Sequence, residues 1–221
     1  MKRLGLRNTL LATLLLAGCS NRAQAVEPPP THNPRPDQWT IGPIIDGRDY
    51  SQRMPLHPTP DAGGAWHIDL PQAPGSVHYV TFRYGSLAGK KRIVMRYRID
   101  AAPGVRVVPA TAPNLPSIVT LYFQRAGDDW SAAGPFEAYR WYATFASQMP
   151  VTPGEHEMVA PLDGNWTAVG KSTARNYPGA FRAAIEAADL VGFVLGGGTG
   201  YGHGVFATGR ARLTMLEFRV E

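Results

Sequence analysis

The stretch LVGFVLGGGTGYGHGVFATGRARLTMLEFRV, residues 190–220, decides between two kinds of protein. Six of its glycines fall within residues 194–205, which invites comparison with a phosphate-gripping loop. A dinucleotide fingerprint needs glycines at n, n+2 and n+5, at the start of a helix. Counted from Gly196, Gly198 or Gly200, the n+5 position holds Tyr201, His203 or Val205, so no register fits. Upstream, Gly164 and the run Gly170-Lys171-Ser172 enclose five residues. A P-loop needs four, and a longer loop aims its backbone N–H groups elsewhere. The flanks read differently: 190–195 and 204–207 look like strands, and 211–220 alternates in the manner of a half-buried strand. A loop between strands opens no helix and offers no helix N-terminus to an anion. The glycines suit positive φ and close backbone approach at a sheet corner or bulge. The chain is expected to bind no nucleotide.

Working outward, the same period of two recurs along the chain. It marks 65–70, 77–84, 91–100, 105–109, 117–125, 139–145 and 156–161. In 91–100, Ile93, Met95, Tyr97 and Ile99 share one face, while Val94, Arg96 and Arg98 share the other. Turn residues separate the runs, including Pro-Gly at 103–104 and at 153–154. Short strands at regular spacing predict an all-β fold, a sandwich or barrel, and not βαβ units. One helix is expected near 178–188, within YPGAFRAAIEAAD (177–189). Pro178 suits an early helical position, and Phe181, Ile185 and Ala188 fall on one face that would cover the sandwich. Trp39, Trp66 and Tyr97 are expected in the core.

The quoted stretch resembles the closing strands of galactose-binding-like jelly rolls, a superfamily that includes many carbohydrate-binding modules. The likeness lies in a buried strand, a Gly/aromatic loop with a small-residue turn, and a last long strand. It covers the final third of the chain, and a weaker match of strand pattern runs from residue 39. It implies a jelly-roll β-sandwich, and a ligand of carbohydrate class. Jelly rolls of this kind often bind a structural calcium. Asp46, Asp49 and nearby carbonyls are the hard oxygen donors available for one near the first strand. No ligand-binding residue transfers from the resemblance position by position.

The N-terminus carries a second resemblance. MKRLGLRNTLLATLLLAGCS has Lys2, Arg3 and Arg7, then an apolar run from Leu10 to Ala17. Such a basic head and short apolar stretch make a secretory signal, too short to span a bilayer. Its end, Leu16-Ala17-Gly18-Cys19, resembles the bacterial lipobox, in which the peptide is cut before a cysteine that becomes lipidated. Cys19 is the single cysteine of the chain, so the folded part is expected to carry no disulfide. Residues 1–18 are then the signal peptide, and the protein is exported and held by lipid. By resemblance to Gram-negative lipoproteins, Ser20 after the cysteine, and not Asp, points to the outer membrane. Residues 19–38, with five prolines and almost no large apolar side chain, read as a spacer. Residues 39–221 are long enough for one domain with its own core.

Composition narrows the function. The formal charge of +5 falls once residues 1–18 are removed, because three basic and no acidic side chains go with them, leaving 19 against 17. That balance gives no basic footprint for nucleic acid. The histidines are scattered, and in Gly-Glu-His-Glu-Met the strand alternation keeps Glu155 and Glu157 from converging with His156 on a metal. No G-x-S-x-G elbow occurs. Asp128, Asp129, Glu137, Glu155, Glu157 and Asp163 leave open a carboxylate pair for glycoside cleavage. The aromatics carry more: planar rings stack on the apolar C–H faces of sugars while polar groups bind hydroxyls. Candidate ligand-binding residues are Trp130, Trp141, Trp166, Tyr177 and Tyr201, with Asn165, Arg175 and His203 as hydrogen-bonding partners. No catalytic residue is assigned. Three roles are therefore expected in order: a non-catalytic carbohydrate-binding sandwich, a polysaccharide-acting enzyme, and a scaffold lipoprotein that docks another envelope protein.

Overall fold

The computed structural model describes residues 33–221, apart from 74, 144–146 and 198–200. Cys19 and the proposed signal and lipid site lie outside the described residues. Sixteen strands and one α-helix follow one another. They are β1 (Trp39–Gly42), β2 (Ile44–Ile45), β3 (Arg48–Asp49), β4 (Thr59–Pro60), β5 (Trp66–Asp69), β6 (Tyr79–Arg83), β7 (Arg92–Ala101) and β8 (Val107–Pro109). Then come β9 (Ser117–Arg125), β10 (Arg140–Ala143), β11 (Met149–Pro150), β12 (Gly154–Pro161), β13 (Trp166–Ala168), α1 (Pro178–Glu186), β14 (Ala188–Gly197), β15 (Val205–Ala207) and β16 (Ala211–Val220).

Two antiparallel sheets hold most of them. Sheet I runs β1-β6-β14-β9-β10-β13, with β11 also on β9, and sheet II runs β12-β7-β16-β5-β4. Take β5, β6, β7, β9, β10, β12, β14 and β16 as strands one to eight. Sheet II then reads first, eighth, third, sixth, and sheet I reads second, seventh, fourth, fifth. That interleaving is the jelly-roll arrangement of two Greek keys. The all-β sandwich with a single short helix expected from the sequence is the fold observed.

Alternation decides which side chains meet between the sheets. From β7, Ile93, Met95, Tyr97 and Ile99 point inward and are fully buried. From β9, β14 and β6 come Val119, Leu121 and Phe123, Val191, Phe193 and Leu195, and Val80 and Phe82. Trp39 forms the aromatic centre, with ring centroids 4.9 Å from Trp66, 4.6 Å from Phe82 and 5.1 Å from Phe218. Each such pair adds about 0.5–1.5 kcal/mol beyond the area it buries. The helix α1 closes one side through Phe181, whose ring lies 4.9 Å from Trp141 and 5.9 Å from Phe123. Its buried residues are Phe181 and Ala184. The expected helix face included Ala188, but that residue already pairs with Arg125 in β14. Sheet pairing overrides helical period there.

The glycine-rich segment behaves as a strand connection. Gly192 lies where β14 and β6 approach so closely that a Cβ would collide with the Val80 carbonyl oxygen. Gly204 has φ 84°, and a Cβ there would fall 2.6 Å from the His78 ring. The docked chain also reaches back beyond Trp39. Asn33 donates its amide to Leu216 O and accepts from the Phe218 N–H, beside the β16 bulge between Met215 and Glu217. The last residues of the proline-rich stretch are therefore part of the folded unit.

Candidate functional site

Sheet I buries aromatic side chains on both of its faces. Away from the core, Tyr79, Tyr122, Tyr142 and Val194 form a second buried cluster, with Trp130, Val169 and Tyr201 packed against it. The same alternation that sends Val119, Leu121 and Phe123 inward sends Thr120, Tyr122 and Gln124 to this face. Trp130, Val169 and Tyr201 cover part of it. What remains open is a groove of about 320 Å³ between Trp130 on one side and Pro43 and Ile44 on the other.

Its floor is polar and aromatic. Thr40 of β1 and Thr81 of β6 are directly paired across the ladder. Both line the groove with Tyr79, Arg83 and Gln124, and the two hydroxyls have no hydrogen-bond partner among the described residues. On β14 the residue in register with Thr81 and Tyr122 is Gly192, which has no side chain to obstruct the floor.

Trp130 is fixed from several directions. Its φ is 64°, a left-handed conformation that a bulky residue adopts only when its surroundings hold it. Its N–H donates to Asp128 Oδ1 at 3.2 Å, and its carbonyl accepts from Arg140 Nη2 at 3.0 Å. The Arg140 guanidinium lies 4.8 Å from the indole centroid, and Tyr79 meets the indole at 5.5 Å in an edge-to-face arrangement. Arg140 Nε is 2.9 Å from Asp128 Oδ2, and the two side chains are 8% and 0% exposed. This approach is an ion-pair contact without hydrogen-bond alignment. Gln124 Nε2 donates to the same carboxylate at 2.8 Å, and Tyr122 Oη donates to Gln124 Oε1 at 2.9 Å. Burial lifts the Asp128 carboxyl above its ordinary range, and the Arg140 charge pulls it partly back.

The tyrosines add neutral hydroxyls. Tyr79 and Tyr142 share a 2.7 Å hydrogen bond. Tyr201 stacks on Tyr142 with centroids 4.8 Å apart and planes 15° from parallel. Burial drives Tyr122 and Tyr142 well above the usual phenol range and raises Tyr79 as well, so all three stay protonated at neutral pH.

The residues expected from sequence do not converge. Trp130 lines the groove, and Tyr201 belongs to the same aromatic cluster. Trp141 and Trp166 are corrected to the core: they are 0% and 1% exposed, on the inward face of β10 and β13. Their indole N–H groups donate to Ala138 O and Pro161 O, so neither ring is open to a ligand. Asn165 and Arg175 line a different cavity of about 400 Å³ beside Phe181 and Arg182. Tyr177 is 57% exposed at the start of α1, and His203 is exposed in the glycine-rich connection. Asp46 and Asp49 serve the β2–β3 hairpin. Asp46 and Gly47 both have positive φ, as a two-residue hairpin turn requires, and Asp49 Oδ1 accepts the Ser51 N–H at 2.7 Å. Among the described residues no group of three His, Cys, Asp or Glu is placed to hold a metal.

Sequence reasoning missed Thr40, Tyr79, Thr81, Gln124 and Arg140, and weighed Asp128 only as one of six carboxylates for glycoside cleavage. The available signal was the off-core phase of 77–84 and 117–125, where Tyr79, Thr81, Thr120, Tyr122 and Gln124 stand at positions that an exposed strand face fills with charges. No protein-family model matches the chain, and no curated protein is significantly similar to it.

Proposed function

We propose that this chain is an exported, lipid-anchored protein whose jelly-roll domain binds carbohydrate without cleaving it, in the groove of sheet I. One observation carries this reading. A half-buried indole, locked by Asp128 and Arg140, stands beside a cross-strand pair of threonine hydroxyls that have no hydrogen-bond partner among the described residues. An immobilised ring stacks on a pyranose face at little cost in conformational entropy, while hydroxyls orient the sugar. The groove is within the size range of small-molecule sites, about 300–1,000 Å³. The lining supplies no carboxylate, so cleavage by a carboxylate pair finds no such pair in this groove.

The test is tryptophan fluorescence of the full chain in detergent, titrated with a panel of polysaccharides with and without calcium. A saturable shift is expected, and Trp130→Ala should weaken binding by at least about tenfold, or 1.4 kcal/mol. Undiminished affinity in that variant would remove the groove as the site.

The anchor is proposed at Cys19, with the outer membrane of a Gram-negative envelope as its location. Metabolic labelling with a palmitate analogue checks it. Cys19→Ser should lose the label and leave the membrane fraction, and a variant that keeps both would overturn the assignment.

A further inference from the structure

We infer that the groove selects uncharged glycans over acidic ones, because the protein neutralises each cation of the site with its own carboxylate. The inference rests on the carbohydrate reading and deepens it. Two arginines belong to the site. The guanidinium of Arg140 lies beneath Trp130, 2.9 Å from the buried Asp128 carboxylate. Arg83 lines the groove, and its Nη1 lies 2.6 and 2.7 Å from the two oxygens of Asp189. Asp189 occupies the β14 bulge between Ala188 and Leu190, which places its side chain beside the end of β6.

The side-chain groups of the lining without a hydrogen-bond partner among the described residues include the Thr40 and Thr81 hydroxyls and the Trp130 indole N–H, all of them neutral. Tyr79 in the floor, and Tyr122 and Tyr142 buried beside it, are protonated. A uronate or sulfate ester entering here would have to leave water, and would find no uncommitted cation to compensate it. A neutral hexose loses only hydroxyl hydration, which the threonine hydroxyls and the indole replace. Affinity should therefore be nearly independent of salt, since no ion pair forms across the interface.

The two neutralising carboxylates differ in reach. Asp128 has a fully buried side chain and also holds the Trp130 backbone, so changing it disturbs the platform itself. Asp189 is partly exposed and its partner Arg83 is largely exposed, so removing that charge frees a cation at the groove with little effect on folding. Asp189→Asn should then convert the groove toward acidic ligands.

The experiment uses the full chain in detergent and measures affinities for two soluble neutral polysaccharides, a β-glucan and a galactomannan, and two acidic ones, polygalacturonate and heparin. Wild type should bind a neutral polymer, with affinity unchanged up to about 1 M salt, where the screening length falls to about 3 Å. In Asp189→Asn the ratio of acidic to neutral affinity should rise about fivefold at low salt, the upper end for an exposed ion pair, and collapse at high salt. Preference of wild type for the acidic polymers, or an unchanged ratio in Asp189→Asn, overturns the selectivity while leaving glycan binding intact. Silence toward all four polymers defeats the carbohydrate reading and this inference with it.

Discussion

The two sheets turn opposite kinds of surface outward, although the same strand alternation produces both. The outer face of sheet II is a lattice of ion pairs: Arg92 with Glu221 at 2.6 Å, Arg98 with Asp100 at 2.9 Å and Arg212 with Asp69 at 2.6 Å. Most of these side chains are well exposed, and such pairs each contribute at most about 1 kcal/mol. The outer face of sheet I carries Tyr, Thr and Gln; of its ion pairs, Arg83–Asp189 lies at the groove edge and Asp128–Arg140 is sealed under Trp130. A solvated face keeps a sandwich soluble and needs no cover. A face with buried tyrosines, threonines and Gln124 needs loops over it, and those loops leave a groove. The difference favours sheet I as the side of the proposed binding site.

The largest expected effect tests the most costly element of that contrast. Arg140→Met removes the partner of a buried carboxylate, the donor to the Trp130 carbonyl and the support beneath its ring. Breaking a buried pair from one side costs about 3–5 kcal/mol. Arg212→Met on the other sheet removes a shorter contact, 2.6 Å against 2.9 Å, in an exposed setting, and should cost less than about 1 kcal/mol. Denaturant unfolding of both variants makes the comparison. Equal losses would mean that the two faces do not differ in the way their ion pairs suggest. If Arg140→Met unfolds the chain outright, Arg140→Met with Asp128→Asn should recover part of the stability, because it removes the stranded charge.

The contrast also explains what the sequence disclosed. The runs 117–125 and 211–220 coincide with β9 and β16, because nine or ten residues of alternation leave little freedom in the boundary. Trp39, Trp66 and Tyr97 could be assigned to the core because their strands have a polar opposite phase or lie in apolar runs. Trp141 could not, because β10 is buried on both faces and alternation cannot tell the core face from the groove face. Trp166 stands just after Asp163, Gly164 and Asn165, a composition that reads as a loop. Only the pairing with β10 makes Trp166–Ala168 a strand. Asp128 and Arg140 look like an isolated loop acid and a strand base. Their pairing depends on how the 126–138 loop folds back, which no local pattern encodes.

The smallest expected effect concerns the loop that lends Tyr201 to the working face. His78 precedes Tyr79, and its ring joins Ser76 Oγ at Nε2 and Gly202 O at Nδ1, each at 3.0 Å. Burial depresses its pKa below the ordinary histidine value, the Gly202 carbonyl opposes that shift, and His203 and Asp49 act with opposite signs. The folded protein therefore binds fewer protons at this ring than the unfolded chain does. Its contribution to stability is complete above about pH 6.5, declines as the pH falls below that, and is lost once the pH passes the folded value. Unfolding midpoints compared at about pH 7.5 and 5.5 should show a loss in wild type that shrinks in His78→Asn, whose amide keeps a donor toward Gly202. The carboxylates titrate in both proteins and cancel from the difference. An identical loss in the variant would assign the acid sensitivity elsewhere. A smaller loss would tie the glycine-rich connection, through one buried ring, to the face that sheet I holds open.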